Sequence, residues 1–414
     1  MAELVIIVGI RRDHDTRAQA DESLQELKLL SESAGAAVVG RVFCDLDSIH
    51  PGTFIGKGKI HEIGQRIEET GADMIILDDA LSPAQQRNLE QQLNTTVLDR
   101  TGIILDIFAH RAQTREGIIQ VELAQAKYML PRLTHLHSHL SRLGGGIGTR
   151  GPGETQLEYD RRRIRSRIDR LEDELEKVRK RRGLQRSGRK KAGYLNLALV
   201  GYTNAGKSTL MNLLTGASVK VRDQLFATLD PTLRLLELPN NQRVILSDTV
   251  GFISKLPHEL VAAFRATLEE VVEADLLLHV IDNSSDCRDR QITEVVRTLK
   301  ELHASDKPMV LIFNKIDKTP DQAPGSIGMM DESPAVAVSA KTGAGIPELL
   351  DIISRFDRLN LVETDFVIPY SRGDIISEIQ RCGSVGPIDY ADHAILFHAV
   401  VPKRLADQFR EFLK

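Results

Sequence analysis

The residues with the clearest chemistry lie between Gly201 and Lys341. Gly201-Tyr202-Thr203-Asn204-Ala205-Gly206-Lys207-Ser208 has the spacing Gly-x-x-x-x-Gly-Lys-Ser. In that pattern glycines let backbone N–H groups converge on a β-phosphate, Lys207 neutralises phosphate oxygens, and the Ser208 hydroxyl ligates Mg²⁺. Asp248-Thr249-Val250-Gly251 offers a carboxylate for a Mg²⁺-bound water and a Gly251 N–H for the γ-phosphate, although Asp-x-x-Gly alone is a common tetrapeptide. Asn314-Lys315-Ile316-Asp317 selects the base. The two oxygens of Asp317 match the N1–H and N2–H₂ donors of guanine, which adenine does not present together, and the Lys315 stem can lie over the ring. Ser339-Ala340-Lys341 completes the pocket with a backbone N–H for guanine O6. The nucleotide should be GTP, with Lys207, Asp248 and Gly251 carrying its hydrolysis.

These motifs must sit on strand ends, and the sequence provides the strands. Apolar runs at Leu195 to Val200, Arg243 to Ser247, Asp275 to Ile281, Pro308 to Phe313 and Ala335 to Val338 alternate with amphipathic stretches at Lys207 to Leu214, His258 to Glu273, Arg288 to His303 and Pro347 to Phe356. This order predicts an α/β domain with a phosphate-binding loop over residues 194–358. Residues 1–115 show the same alternation and form an N-terminal α/β domain. Its strands are expected at Leu4 to Ile10, Ala36 to Cys44, Met74 to Leu77 and Ile103 to Phe108, its helices at Thr16 to Ser33 and Pro83 to Leu93. The turn Gly56-Lys57-Gly58-Lys59 reads either as a plain solvated turn or as a contact for a nucleotide or RNA. Residues 359–414 form a small C-terminal α/β domain with two strand-like runs and two short helices.

Residues 116–182 change character. Leu157, Ile164, Ile168, Leu171, Leu175 and Val178 make a heptad seam, and Ile119, Leu123, Ala126, Leu130 and Leu133 repeat its spacing. Pro131 should bend the first helix. Between the two lies the glycine-rich stretch Arg142 to Gly153, so the expected object is an antiparallel helical hairpin with a basic tip. Residues 183–193, rich in Gly and Ser among basic side chains, read as a linker. The net charge of −4 hides an asymmetry: Arg161 to Lys191 holds fifteen Lys/Arg against five Asp/Glu. That segment is built to meet an anion.

With 414 residues, 42% hydrophobic and 27% charged, the chain fits several globular domains, and no stretch approaches the roughly 20 apolar residues of a spanning helix. Integral membrane insertion is not expected, and the N-terminal apolar run reads as a buried strand, not a signal peptide. Cys44, Cys287 and Cys382 are too far apart for a Cys-x-x-Cys site or a disulfide framework, which points to a reducing cytoplasm. His135 and His139 share a helical face, yet no third ligand accompanies them, and a polar or RNA-facing pair is the better reading.

The sequence resembles the translation-factor-related GTPases, and closely the HflX family. The resemblance rests on GYTNAGKS, on Phe226-Ala227-Thr228-Leu229-Asp230, and on DTVGF, NKID and SAK. It rests also on IGKGK at Ile55 to Lys59 and GPGETQLEYDRR at Gly151 to Arg162. It implies that residues 226–230 are the first switch, with Thr228 the second Mg²⁺ ligand beside Ser208. It also implies a monomeric factor that binds the large ribosomal subunit and its RNA, places its helical tip near the peptidyl transferase centre, and splits stalled or idle ribosomes.

One departure stands out. Ras-like GTPases use a glutamine after the Asp-x-x-Gly glycine to orient the attacking water, and here that position is Phe252, whose ring can neither donate nor accept. Asn204 occupies the position at which potassium-dependent relatives hold a monovalent cation, so K⁺ is one candidate for the missing element, a group from the ribosome the other, and a purely structural Asn204 stays open. A different class of function, a GTP-dependent signalling switch with a protein-dimerising coiled coil, is compatible with the heptad seam. The excess positive charge on that helix favours RNA over self-association. An ATP-driven RNA remodeller finds no support in the base-selecting box.

Overall fold

The computed structural model describes residues 2–135, 152–191, 194–216, 225–255, 257, 265–319, 329–330 and 333–414, except 14, 47, 227, 241, 360 and 392. The chain forms two compact units that interleave in sequence. The first comprises Met1–Lys177, Arg222–Asp230 and Ser254–Thr267; the second comprises Val178–Val221, Pro231–Ile253 and Leu268–Lys414.

In the first unit β1 (Leu4–Arg12), β2 (Ala37–Leu46), β3 (Met74–Leu77) and β4 (Thr96–Asp99) form a parallel sheet in the order β2-β1-β3-β4. Residues 5–8 of β1 are fully buried, as a central parallel strand requires. Helices α1 (Arg17–Ser33), α2 (Lys57–Thr70), α3 (Pro83–Leu93), α4 (Arg100–Arg111) and α5 (Arg115–Met129) complete the layers. Thr16 and Ser82 start α1 and α3 with reciprocal capping boxes to Gln19 and Gln85, each worth about 1 kcal/mol.

Two expectations for this unit are corrected. Ile103 to Phe108 is not a strand but the middle of α4, which Asp99 starts by accepting the Gly102 N–H at 2.8 Å. The helix is buried on nearly every side, so its sequence shows no period by which to tell it from a strand. The Gly56 to Lys59 turn is the N-terminus of α2: Gly56 is its cap residue, and Lys57, Gly58 and Lys59 form the first turn.

Helix α6 runs unbroken from Pro152 to Lys191. The expected linker at 183–193 is therefore helical through Lys191, because Gly183 and Gly188 each cost only about 1 kcal/mol among strong helix formers. Leu171 and Leu175 of α6 bury against Ile119 and Leu123 of α5, with Ile168 at the margin. Glu122–Arg167, Lys127–Glu172 and Arg115–Glu174 pairs flank this seam. Past Pro131 the chain tightens into a 3₁₀ turn at Leu130–His135. The tip from Arg142 lies outside the described residues up to Pro152, as does His139.

The second unit holds a seven-stranded sheet, built on β5 (Leu195–Gly201), β6 (Thr232–Glu237), β7 (Arg243–Asp248), β8 (Leu276–Asp282), β9 (Met309–Asn314), β10 (Met329–Met330) and β11 (Ser333–Ala337). Its order is β10-β11-β9-β8-β5-β7-β6, parallel except for the two edge strands β10 and β6. Strand β5 lies between β7 and β8, the place in such a sheet where connections part to opposite sides and leave a crevice. Helices α7 (Lys207–Thr215), α8 (Arg265–Glu273), α9 (Arg288–Glu301) and α10 (Ile346–Leu359) accompany it, α8 falling across the division between the units. A separate three-stranded antiparallel sheet, β12 (Leu361–Pro369), β13 (Ser384–Tyr390) and β14 (Ala394–Pro402), packs α11 (Gly373–Cys382) and α12 (Lys403–Gln408) around Phe366, Ile379 and Phe397. Strand β13 was not visible in the sequence, since its residues are mostly exposed or half-buried. Among the described residues no helix is long and apolar enough to cross a membrane.

Candidate nucleotide-binding site

Strand β5 ends at Gly201, whose φ of +149° and 2.2 Å approach of a notional Cβ to the Val280 carbonyl admit only glycine. Gly206 closes the loop at φ +98°, where a Cβ would meet Asn314 Nδ2 at 2.3 Å. Helix α7 then begins without a side-chain cap, so its first N–H groups point into the loop. Lys207 is buried and donates to the carbonyls of Gly201 (3.1 Å) and Tyr202 (2.8 Å). Burial brings its ammonium down to about 8, against the pull of Asp248 in the other direction. An anion within reach of Lys207 would replace those carbonyl contacts and restore the charge.

Ser208 Oγ donates to Asp248 Oδ2 at 2.6 Å. A hydroxyl and a carboxylate from two different motifs thus present hard oxygen donors side by side, which fits Mg²⁺. Ser208 would hold the ion directly and Asp248 through water, and the bound ion would supply charge stabilisation between the β- and γ-phosphates. Thr228, the other expected ligand, belongs to the segment Arg222–Asp230 of the first unit.

The Asp-x-x-Gly turn is hydrogen-bonded to the phosphate loop. Thr203 N–H donates to Phe252 O (2.8 Å) and Phe252 N–H to Gly201 O (3.1 Å). Gly251 consequently lies so close that a Cβ would stand 2.8 Å from Thr203 Cα and 3.0 Å from Lys207 Nζ. Phe252 itself is 1% exposed. Its ring is part of the core and, as its chemistry required, is no substitute for a water-orienting glutamine.

At the base end, Asn314 is a structural tie. Its Nδ2 donates to Ala205 O and its Oδ1 accepts from Ala340 N–H, both at 2.9 Å, so one side chain joins phosphate loop and base loop. The Ala340 N–H is thereby engaged by protein. Lys315, held at φ +66°, donates to Asn204 O (2.8 Å) and pairs with Asp282 (2.6 Å), which fixes the end of its side chain. Asp317 is exposed and accepts from Ser339 Oγ at 2.6 Å. That bond, ahead of the charges of Lys341 and Lys318, holds the carboxyl below its ordinary range, so it stays ionised to accept from a base. Thr249 is fully buried with its hydroxyl on Leu199 O, Val250 is buried and Ile316 is half-buried, which makes all three scaffold.

Sequence reasoning missed several residues. Asp282, which orients Lys315, and His279, buried beside Lys207 and driven down to about 3 by burial and then by that charge, both lie in an apolar strand that gave no sign of either role. Leu229 is buried. Phe226 packs edge-on to Phe108, ring centroids 4.7 Å apart. The Asp230 carboxylate accepts from the backbone N–H groups of Gln113 and Thr114, both at 2.9 Å, and from Thr114 Oγ1. Asp230, expected beside the nucleotide, therefore occupies the N-terminus of α5. Ala227 lies outside the described residues.

Three family descriptions cover nearly the whole of residues 21–315: "GTP-binding GTPase N-terminal" matches 21–109, "GTP-binding GTPase Middle Region" 111–189, and "50S ribosome-binding GTPase" 196–315. A protein of Lacrimispora saccharolytica named GTPase HflX is 48% identical over 99% of this chain and 97% of its own length. The chain belongs to the HflX family of GTPases. The Escherichia coli GTPase HflX is 50% identical over 80% of this chain and 78% of its own. A crystal structure of SsGBP in complex with GDP is 25% identical, covers 86% of this chain and 98% of that one, and has a TM-score of 0.48.

Membership settles the activity as hydrolysis of GTP. The phosphate-loop backbone, the uncapped α7 N-terminus and Lys207 would meet the phosphates, Asp317 and Lys315 would meet guanine, and Gly251 lies beside Lys207.

Proposed function

We propose that this HflX-family GTPase binds the large ribosomal subunit and uses its nucleotide cycle to dissociate stalled or idle ribosomes. The observation that carries the reading is the presence, in one GTPase chain, of phosphate-loop and base-selecting motifs and of α6, a 40-residue helix holding the strongly basic Arg161 to Lys191 stretch. Such a helix meets an RNA backbone through its phosphates. The match of residues 196–315 to the 50S ribosome-binding GTPase description supports the same partner. In this reading the tip from Arg142 to Gly153 enters the subunit, Thr228 closes on Mg²⁺ with Ser208, and K⁺ held near Asn204 supplies positive charge between the β- and γ-phosphates.

The alternative of a dimerising coiled coil loses its main support, because the seam residues Leu171 and Leu175 are already covered by Ile119 and Leu123 of the same chain. Cosedimentation with separated ribosomal subunits in GTP, GDP and a non-hydrolysable GTP analogue tests the proposal. Analogue-dependent pelleting with the large subunit is expected; equal pelleting in all three nucleotides, or none, refutes it.

A further inference from the structure

Two non-glycine residues of the nucleotide site hold left-handed backbone, Asn204 at φ +61° and Lys315 at φ +66°. That conformation is unfavourable for a residue with a Cβ and persists where surrounding contacts impose it. A single hydrogen bond joins the two, from Lys315 Nζ to the Asn204 carbonyl at 2.8 Å. Base loop and phosphate loop are therefore tied by this lysine as well as by Asn314, whose Nδ2 donates to the next carbonyl, that of Ala205.

The lysine tie has a third member. Asp282 ends β8 and stands directly beside Asn314 in the parallel ladder with β9. Its Oδ2 meets Lys315 Nζ at 2.6 Å, while its Oδ1 accepts from the Ser284 N–H at 3.0 Å and from Ser284 Oγ at 2.6 Å. Ser284 thus aims the carboxylate, and the carboxylate aims the lysine. The side chains of Asp282 and Lys315 are 18% and 19% exposed. The pair lies between the exposed ion pair, which screening makes weak, and the fully buried one, whose desolvation offsets its attraction.

Lysine is among the costliest side chains to immobilise. A lysine already held at its tip by protein groups presents its stem to a base at little further entropic cost, which is how ordering within a site becomes affinity. Asp282 supplies that hold from a position that faces neither the base-selecting Asp317 nor the phosphate-neutralising Lys207 in any hydrogen bond of the described residues.

We propose that Asp282 is a positioning residue for guanine nucleotides: acting through Lys315, it fixes the lysine stem for the base and thereby sets how long GDP and GTP stay bound. The effect is common to both nucleotides, because they share the base and differ only at the γ-phosphate. It rests on the place of Lys315 in the guanine pocket and is independent of any ribosomal partner.

The test uses the full chain without ribosomes. Dissociation constants and release rates for GDP and a non-hydrolysable GTP analogue are measured for Asp282→Ala, Lys315→Met and the double variant. Asp282→Ala should weaken both nucleotides by the same factor, about tenfold, chiefly through faster release. In the Lys315→Met background the same substitution should add nothing, so that the double variant matches Lys315→Met within about twofold. A carboxylate that merely supports the end of β8 gives independent losses that multiply, and that result overturns the proposal. An unmoved affinity in Asp282→Ala, or a change confined to one nucleotide, overturns it as well. Unchanged binding by Lys315→Met removes the lysine from the base site, and the proposal falls with it. Asp282→Asn, of the same shape but without the charge facing Lys315, guards against a folding artefact: it should weaken both nucleotides by an equal, smaller factor, and unaltered release rates there overturn the assignment.

Discussion

Ser339 fixes Asp317: its hydroxyl donates to Oδ1 at 2.6 Å and helps hold this exposed carboxylate in its ionised form. Asp317→Asn should lose GTP affinity on the order of 100-fold or more and gain xanthosine triphosphate, whose 2-oxo group accepts from the new amide. Direct titration with both nucleotides decides it; an unchanged GTP constant removes Asp317 from base selection. Ser339→Ala, which frees the carboxylate without removing it, should weaken GTP by a smaller factor, near tenfold, about the value of one hydrogen bond to a charged group.

Lys207 predicts a pH dependence with a definite sign. Its folded value of about 8 lies below the ordinary 10.5, so between those limits the unfolded chain binds more protons than the folded one. Stability without nucleotide should therefore rise through that window as pH increases, because the burial penalty on the charged lysine disappears. Nucleotide affinity should move oppositely, falling above pH 8, since phosphate binds the protonated form. Calorimetry in buffers of different ionisation enthalpy should detect proton uptake on GDP binding at pH 8 to 9. Absence of uptake there would show that Lys207 is already protonated in the free protein.

Potassium should stimulate hydrolysis more than sodium at equal ionic strength. Asn204 stands exposed at φ +61° in the phosphate loop, its carbonyl fixed by Lys315 Nζ at 2.8 Å. Matched ionic strength separates occupancy of a site from Debye screening. Asn204→Ala should remove the difference between the salts. Identical rates in both salts, with and without ribosomes, would leave a ribosomal group as the missing catalytic element opposite Phe252.

The phosphate loop and the base-selecting box were legible in the sequence because their geometry is local. Gly201 and Gly206 sit at positive φ inside one eight-residue loop, and a parallel strand buried on both faces must read as a nearly continuous apolar run. Ile103 to Phe108 misled for that same reason: a helix buried on nearly every side also reads as an apolar run, interrupted here only by Asp106, and the Asp99 cap is what distinguishes it. Asp230, expected with the first switch, gave no sign of its place beside α5, and neither did Lys255 of its place beside Asp78. Their partners Thr114 and Asp78 lie 116 and 177 residues away, and no local spacing encodes such a pairing. The linker reading at 183–193 failed differently, since two glycines in a basic stretch look like a break but cost a long helix little.

Shortening the stretch from Arg142 to Gly153 to a plain turn should separate ribosome action from GTP chemistry. Glycines permit close backbone approach to RNA, Arg142 and Arg150 supply phosphate contacts, and the basic stretch of α6 provides the electrostatic attraction that brings the arm to its target. The nucleotide pocket is built from Gly201 onward, and its ties run among Ala205, Asn314, Ala340, Ser208 and Asp248, none of which involves the tip. GDP and GTP affinities of the shortened protein should therefore stay within about twofold of the original, a difference of roughly 0.4 kcal/mol. Subunit dissociation followed by light scattering should fall by on the order of tenfold, and the salt dependence of ribosome binding should become shallower by about one phosphate contact for each arginine removed. Full splitting activity in the shortened chain would mean that the tip only connects the two helices, while a parallel loss of nucleotide affinity would show that the segment supports the fold of the pocket and would remove the tip from the proposed mechanism.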